Sequence, residues 1–244
     1  FTSESNENKS VDVLKNALLR RNLDAKVLGT GLGVYHRVQY NLPSPPPSVS
    51  IIIPTRNRVD LLKVCVEGIT EKTDYPNLEI IVVDNNSDEV ETQNYLAALK
   101  QTGVCVFKYD GDFNFSAINN FAVSKASGEI LILLNNDIEV ISPDWLTELV
   151  SHAMRPGVGV VGCRLYYPDD RVQHDGIIVG IGGVAGYAHP RLERSLSGDF
   201  GRSKLVRNYS AVTAAALAIK KSIYNEVGGL DEQNLAVAFN DVDF

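Results

Sequence analysis

The chain has 244 residues, a net charge of −7 and 44% hydrophobic residues, enough for one large α/β domain or two small ones. The negative balance excludes broad nucleic-acid binding, which needs clustered Lys and Arg to neutralise phosphates. No apolar run approaches the roughly 20 residues of a bilayer-spanning helix. The start, Phe1 to Lys9, is polar and acidic and does not read as a signal peptide; it opens on Phe rather than Met, as a trimmed chain would. Cys65, Cys105 and Cys163 lie far apart in apolar segments, which predicts buried, reduced thiols, and no Cys/His spacing suits zinc.

Val11 to Arg21 carries apolar residues at helical spacing, and Gly33–Tyr40 reads as a short extended piece. Pro43-Ser-Pro-Pro-Pro-Ser48 is a stiff linker that cannot enter a sheet interior. Residues 1–48 are therefore expected to form an N-terminal appendage, with the main domain at 49–244. From Val49 strands and helices alternate. Strands are expected at Val49–Pro54, Leu78–Asp84, Val104–Lys108 and Ile130–Leu134; the first is continuously apolar, as a parallel strand buried on both faces should be. Helices are expected over 61–69, over Glu91–Lys100, after an N-cap at Ser116, and from Ser142-Pro143-Asp144. This half reads as a doubly wound α/β sheet. Trp145 reads as a core anchor for its helix. Further on, Val158–Cys163, Ile177–Ile181, Leu205–Tyr209 and Ala214–Ile219 read as strands, with a helix at Ser222–Val227 closed by Gly228 and Gly229. Gly182–Arg202 reads as a flexible active-site or acceptor loop.

Polar residues collect where the parallel strands end, which is where open α/β sheets bind ligands. The first strand runs into Pro54-Thr55-Arg56-Asn57-Arg58, the second into Asp84-Asn85-Asn86-Ser87, the third into Tyr109-Asp110-Gly111-Asp112 and the fourth into Asn135-Asn136-Asp137. Each turn alone is ordinary turn chemistry; the four together on one rim favour a site. Neither a Gly-x-Gly-x-x-Gly nor a Walker phosphate loop follows the first strand. A nucleotide could still be held by side chains and by Mg²⁺ or Mn²⁺ on Asp137, with its phosphates completing the metal's shell.

The ordered series Val49-Ser-Ile-Ile-Ile-Pro-Thr-Arg-Asn57, Ile80-Ile-Val-Val-Asp-Asn-Asn-Ser87, Asn120 with Gly128-Glu129, and Ile132-Leu-Leu-Asn-Asn-Asp137 resembles glycosyltransferase family 2. Ala214-Ala-Ala-Leu-Ala-Ile219, Gly228-Gly-Leu-Asp-Glu232 and Asn240-Asp-Val-Asp-Phe244 continue it to the last residue. Within that family the chain resembles bacterial rhamnosyltransferase-like enzymes of surface-polysaccharide synthesis, whose N-terminal appendage is similar to residues 1–48. The resemblance implies a GT-A fold: a doubly wound mixed sheet flanked by helices. It also implies an inverting, metal-dependent hexosyl- or deoxyhexosyltransferase. Its donor would be a UDP-, dTDP- or GDP-linked sugar, and its acceptor a saccharide or a lipid-linked one. The setting would be cytoplasmic, at the inner membrane face, with peripheral membrane association through regions outside this stretch.

Carried over by the same resemblance, Asp84 would accept a hydrogen bond from the donor base, with Pro54, Thr55 and Arg58 lining that pocket. Asn135-Asn136-Asp137 stands where the family has Asp-x-Asp, so Asp137 would hold Mn²⁺ or Mg²⁺, while Asn135 can bond a ribose hydroxyl but brings no charge. Asn120 matches the Asn of the family's Arg-Asn-x-Gly segment, though Asn119 and Ala122 depart from it. Asp241 would be the catalytic base, with Asp243 its rival, facing the other way if the segment is extended. In the family the stretch beyond the base helps shape the acceptor site, and this chain stops at Phe244. Asp175, in Gln173-His-Asp-Gly176, could contact acceptor or simply form a turn. Two other functions stay open on the residues: nucleotidyl transfer onto a sugar phosphate, for which the glycines after the first strand are missing, and an inactive nucleotide-sugar-binding module.

Overall fold

The computed structural model describes residues 3–33 and 35–244. In chain order come α1 (Ser3–Arg20), β1 (Ala25–Gly29), β2 (His36–Tyr40), β3 (Val49–Thr55), α2 (Val59–Lys72), β4 (Leu78–Asp84), α3 (Val90–Leu99), β5 (Cys105–Lys108), α4 (Phe115–Lys125), β6 (Ile130–Leu134) and α5 (Trp145–Ala153). There follow β7 (Val160–Gly162), β8 (Leu165–Tyr166), β9 (Val172–His174), β10 (Ile177–Val179), β11 (Ala185–Tyr187), β12 (Ala216–Lys220), α6 (Lys221–Glu226) and α7 (Asn240–Asp243). The chain forms two compact units. One is Ser44–Cys163 with Ala211–Phe244, and the other joins the residues up to Pro43 to Arg164–Ser210. This division differs from one at residue 48, since the first residues share a unit with a later segment.

The larger unit is built on a six-stranded sheet of order β5-β4-β3-β6-β12-β7. β3 runs parallel to β4 and β6, β4 runs parallel to β5, and β12 lies antiparallel between β6 and β7. The fold is thus the expected GT-A-type doubly wound mixed sheet. β3 and β6 are apolar along their length because both faces are covered: Ile51, Ile52, Ile53 and all five residues of β6 are at most 1% exposed. Burying such runs is the main source of stability, at about 25 cal/mol per Å² of apolar surface.

Ser50 is the polar exception in the β3 pairing with β6, and it is fully buried. Its hydroxyl donates to Glu79 Oε1 (2.5 Å) and accepts from the Gly128 N–H (2.7 Å). The same Glu79 oxygen accepts from Ser127 N–H (2.6 Å) and Ser127 Oγ (2.8 Å). Gly128 cannot carry a side chain here, because a Cβ would sit 2.5 Å from the Ser50 nitrogen. This cluster pins the entry of β6 to β3 and β4.

Several local readings change. Asn114, not Ser116, caps α4, accepting from Ala117 N–H at 2.9 Å. Ser116 lies inside the helix, buried, and donates to the Leu235 carbonyl (2.6 Å). Helix α5 starts at Trp145, so Ser142 and Pro143 form the turn before it; the Trp145 indole is half-buried and donates to Thr73 Oγ1 (3.0 Å). Gly228 and Gly229 close α6 at φ 86° and 80°, as their pairing suggested. All three cysteines are free, but only Cys65 is buried.

In the smaller unit β1 pairs with β2, β8 with β9 and β10 with β11, all antiparallel. The segment expected as a flexible loop, Gly182–Arg202, contains β11, and a 3₁₀ stretch, Asp199–Lys204, begins within it. Leu205–Tyr209 is not a strand. Its Tyr209 ring instead covers Gly176, where a Cβ would come within 2.1 Å, and Gly176 holds φ +99°.

Burial tends to raise the Glu79 pKa, but the hydrogen bonds from Ser50 and Ser127 outweigh it and hold the carboxyl below its ordinary value. A depressed carboxyl stabilises the fold above its unfolded pKa, about 4.3, and that stability is lost as pH falls through the lower folded value. Glu79→Gln should therefore cost about 1–3 kcal/mol at pH 7, with the gap to the parent closing below about pH 4. Urea unfolding of both chains at several pH values measures it.

Candidate active site

Strand order reverses at β3, between β4 and β6, so a ligand crevice is expected outside the carboxyl ends of these three strands. Thr55 ends β3, opposite Asp84 at the end of β4, and is buried. Its hydroxyl accepts from Asn136 Nδ2 (3.0 Å), across the crevice from the β6 end, and its carbonyl accepts from Asn85 N–H (2.8 Å). Three strand ends are thereby tied at one residue. Pro54, one position earlier, is half-buried.

Asn57 was not among the expected site residues, yet it organises the rim. Its N–H donates to Ser87 Oγ (2.8 Å) and its Nδ2 to Asp88 Oδ1 (2.7 Å). Its Oδ1 accepts from the N–H groups of Asp88 (3.0 Å) and Glu89 (3.2 Å), at the start of α3. Asn57 and Arg58 both hold positive φ, 53° and 52°, which Asn tolerates better than most residues. Arg58 is exposed and forks onto Asp60 (3.0 and 2.8 Å). Asp60 chiefly, then Glu89 and Asp137 through space, hold the guanidinium charged. Asn85 is likewise structural: buried, it donates to the carbonyls of Gly111 (2.8 Å) and Tyr109 (3.3 Å). The sequence signal for both was their place in Asn-rich strand-end turns.

Asp84 is half-buried; one carboxylate oxygen accepts from Ser87 N–H (3.0 Å), and the other makes no hydrogen bond among the described residues. At the β6 end, Asn135 N–H donates to the Ala215 carbonyl (3.0 Å), and the Cys65 thiol lies 3.6 Å from the Asn135 carbonyl. Burial, then the charge of Asp137, pushes that thiol up to about 12, so it stays protonated. Asp137 itself is exposed and makes no hydrogen bond or ion pair among the described residues. Its carboxylate is uncommitted.

Asp241 reaches the same rim from the far end of the chain. Residues 240–243 form the helical turn α7, not an extended segment, so Asp241 and Asp243 do not simply face opposite ways. Asp241 Oδ2 accepts from Ala214 N–H (3.2 Å), and the neighbouring Ala215 carbonyl receives the Asn135 N–H. One peptide unit thus separates the Asp241 contact from the β6 end. Buried Asn240 and the Phe244 ring, 5.2 Å from that of Tyr224, anchor the turn, while Asp243 is exposed.

Asn120 is placed differently. Its Oδ1 accepts from Tyr224 Oη (2.6 Å) and Leu230 N–H (3.0 Å), and its Nδ2 donates to the Leu230 carbonyl and Glu232 Oε2 (2.9 Å each). An amide has two donors and two lone pairs, so this one is saturated. It braces the Gly229–Glu232 turn, where a Cβ on Gly229 would meet Asn120 Oδ1 at 2.6 Å. In this arrangement it has no hydrogen bond left for a nucleotide.

No group of three or more His, Cys, Asp or Glu side chains among the described residues could hold a metal. A divalent ion that takes its remaining ligands from a nucleotide's phosphates needs only one or two protein carboxylates, and the free Asp137 fits that role. Asn136, which gives one amide N–H to Thr55, keeps its oxygen available.

A doubly wound mixed sheet with an acid-and-amide rim at its switch point is a fold that binds ligands at that point, and comparison with known proteins gives its class. The family described as glycosyl transferase family 2 matches residues 50–208, and the chain belongs to it. The chain is 51% identical over 199 residues to the uncharacterized protein y4gI of Sinorhizobium fredii, covering 81% of this chain and 22% of that one. It is 41% identical over 224 residues to the O-antigen biosynthesis protein RfbC of Myxococcus xanthus, covering 91% and 17%. The chain thus spans about a fifth of these relatives' length. Among solved structures it resembles the mannosyltransferase PcManGT of Pyrobaculum calidifontis in complex with GDP-Man and Mn²⁺, at TM-score 0.60 and 18% identity, covering 98% of this chain and 59% of that one. That likeness shows the fold.

The saturated amide yields a prediction. Asn120→Ala should lower stability by about 1–3 kcal/mol through the unpaired Leu230 and Tyr224 groups, with nucleoside diphosphate affinity unchanged. Denaturant melts paired with calorimetric titration separate the two effects.

Proposed function

We propose that the larger unit is an inverting glycosyltransferase domain acting on a nucleoside-diphosphate sugar, within residues 49–244, for which 1–48 serve as an appendage. The observation that carries this reading is the convergence of Thr55, Asp84, Asp137 and Asp241 on one rim. Separate ties hold them there: Asn136 to Thr55, the Thr55–Asp84 register, and Asp241 to Ala214 beside Asn135. The base of a UDP, dTDP or GDP donor would lie by Asp84, whose second oxygen is free to accept, with Pro54 and Thr55 beneath it. Asn135 would meet the ribose. Arg58 joins the pocket only by leaving Asp60. Mn²⁺ or Mg²⁺ would be held by Asp137, and when bound it neutralises charge on the donor's diphosphate.

Asp241 would take the proton from the acceptor hydroxyl as that oxygen attacks the anomeric carbon, on the face opposite the departing nucleoside diphosphate. The C–O bond to the acceptor forms while the C–O bond to the diphosphate breaks, inverting the centre. The hydrogen bond from Ala214 fixes one oxygen of the carboxylate and leaves the other for the hydroxyl. Asp243, exposed and unbonded, lacks such support. The name of the RfbC relative favours a place in O-antigen synthesis; the acceptor would be a saccharide or a lipid-linked one, used at the cytoplasmic face of a membrane. No helix of the described residues is long and apolar enough to cross one.

Three substitutions test the reading. Asp137→Ala should abolish the enhancement of nucleotide binding by Mn²⁺ in calorimetry; an equal enhancement in mutant and parent would remove Asp137 from the metal. Asp84→Ala should weaken nucleoside diphosphate binding by about 1.5–3 kcal/mol, the worth of a charged hydrogen bond. Asp241→Asn should lower turnover by about 10²–10⁴-fold at unchanged donor affinity, the usual share of a general base. A milder loss there than in Asp243→Asn would make Asp243 the base.

A further inference from the structure

The smaller unit gathers cations that the donor rim does not use. Tyr166 lies between two guanidiniums, with Arg164 5.0 Å and Arg194 4.8 Å from its ring centre. Lys204 Nζ donates to the Arg194 carbonyl (2.5 Å), and its ammonium is pushed below its ordinary pKa by partial burial and then by Arg164 and Arg194. Arg207 stands 4.4 Å over the Tyr209 ring and is lowered by burial and, against the pull of Asp175, by Arg202 and Arg164. These five cations repel one another in a chain whose net charge is −7.

The acids nearby offset only part of this. Asp170 pairs with Arg194 (3.1 Å), and buried Asp175 lies 3.6 Å from Arg207 and 2.8 Å from His189 Nδ1. If that nitrogen carries its proton toward Asp175, the Arg207 Nη2 at 3.1 Å is a neighbour of the ring, not a donor to it. Arg164, Arg202 and Lys204 have no ion-pair partner among the described residues.

Several donors here are also buried with nothing to bond. Arg207 Nε, Tyr209 Oη, Ser203 Oγ, and Nε and Nη2 of Arg164 meet no hydrogen-bond partner among the described residues. Ser203 is 2% exposed. Leaving such a donor unpaired costs about 1–3 kcal/mol, so a run of them in one place is kept only when something else satisfies them. Arg202, Arg207 and Tyr209 line a cavity of about 520 Å³, room enough for a small polyanion.

We infer that this cluster is a second binding site, built from residues other than those of the donor rim, for a phosphate-type oxyanion, with a diphosphate as its best occupant. Guanidinium forks and hydroxyls match the many oxygens of a phosphate, and the uncompensated charge favours more than one negative charge on the ligand. The bend at Asp175 and Gly176, between β9 and β10, makes the site possible. Asp175 holds Arg207 in place, and the bare Cα of Gly176 admits the Tyr209 ring. Such an anion could be soluble or the head group of a lipid; the recognition chemistry is the same.

The test is titration of the whole chain with inorganic diphosphate in EDTA, where a metal-assisted donor site is silent. Saturable one-to-one binding is expected. It should weaken about tenfold in Arg207→Gln and in Arg202→Gln, the worth of a charged hydrogen bond, and by less in Tyr209→Phe, which keeps the ring. Asp137→Ala should bind as the parent does. Absence of saturable binding to the parent chain overturns the site whatever the variants do. Equal affinity in all three variants overturns it too, as does loss of binding in Asp137→Ala, or tighter binding of citrate than of diphosphate. Phosphatidylcholine vesicles with and without an isoprenoid diphosphate identify the source. Recruitment that soluble diphosphate reverses makes it a lipid head group; binding of the soluble ion alone makes it a free anion. Either result supports the site, and neither depends on the donor reading, whose Mn²⁺-dependent nucleotide binding is measured separately.

Discussion

Val49 stands opposite Ile130 and Ile52 opposite Leu133 in the parallel pairing of β3 with β6, and every residue of that pairing is buried. A slip of one residue would turn each of these side chains onto the other face, so the register cannot drift while the core is packed. Because both strands end on the same rim, that register also sets the height at which Thr55 and Asn136 meet. Ser50, Glu79, Ser127 and Gly128 lock the opposite end of the pairing with hydrogen bonds that a one-residue slip would break. The rim is therefore held at its base by a polar lock and along its length by packing.

The larger unit was legible because its signals are local. Continuous apolar runs mark doubly covered strands, and β4 and β6 have the limits their sequence suggested. The strand-end acids and amides lie on one rim because a parallel sheet puts all carboxyl ends on one side. What escaped was long-range. Nothing near Asn57 says that its amide will hold the residues leading into α3, about thirty residues on, and nothing near Asn120 says that it will be consumed by residues 224–232. Ser116 looked like a cap because its neighbours are helical, but Asn114 had the better geometry and the Ser116 hydroxyl found Leu235.

The smaller unit was harder to read for a physical reason. Its strands are two to five residues long, too short for alternation to stand out, and three two-stranded pairings bury little apolar surface. Leu205–Tyr209 has the composition of a strand, yet Arg207 and Tyr209 are turned to Asp175 and Gly176, and one backbone bond, Ser210 to Ile177, ties the segment's end to β10. Contacts between charged and aromatic side chains do much of the organising there. They leave no periodic trace in a sequence.

The carboxylate of Asp241 is referenced to a main-chain N–H, that of Ala214, so no particular side chain is required at that position to hold it. The adjacent Ala215 is only half-buried and contributes its carbonyl, not its methyl group, to the β6 end. Side-chain identity along this stretch and the placement of the Asp241 carboxylate are therefore decoupled. A descendant of this chain could enlarge or polarise residue 215 without re-registering the Asp241 carboxylate beside it. Change at that position can then proceed by single substitutions, each tried against a carboxylate that has not moved.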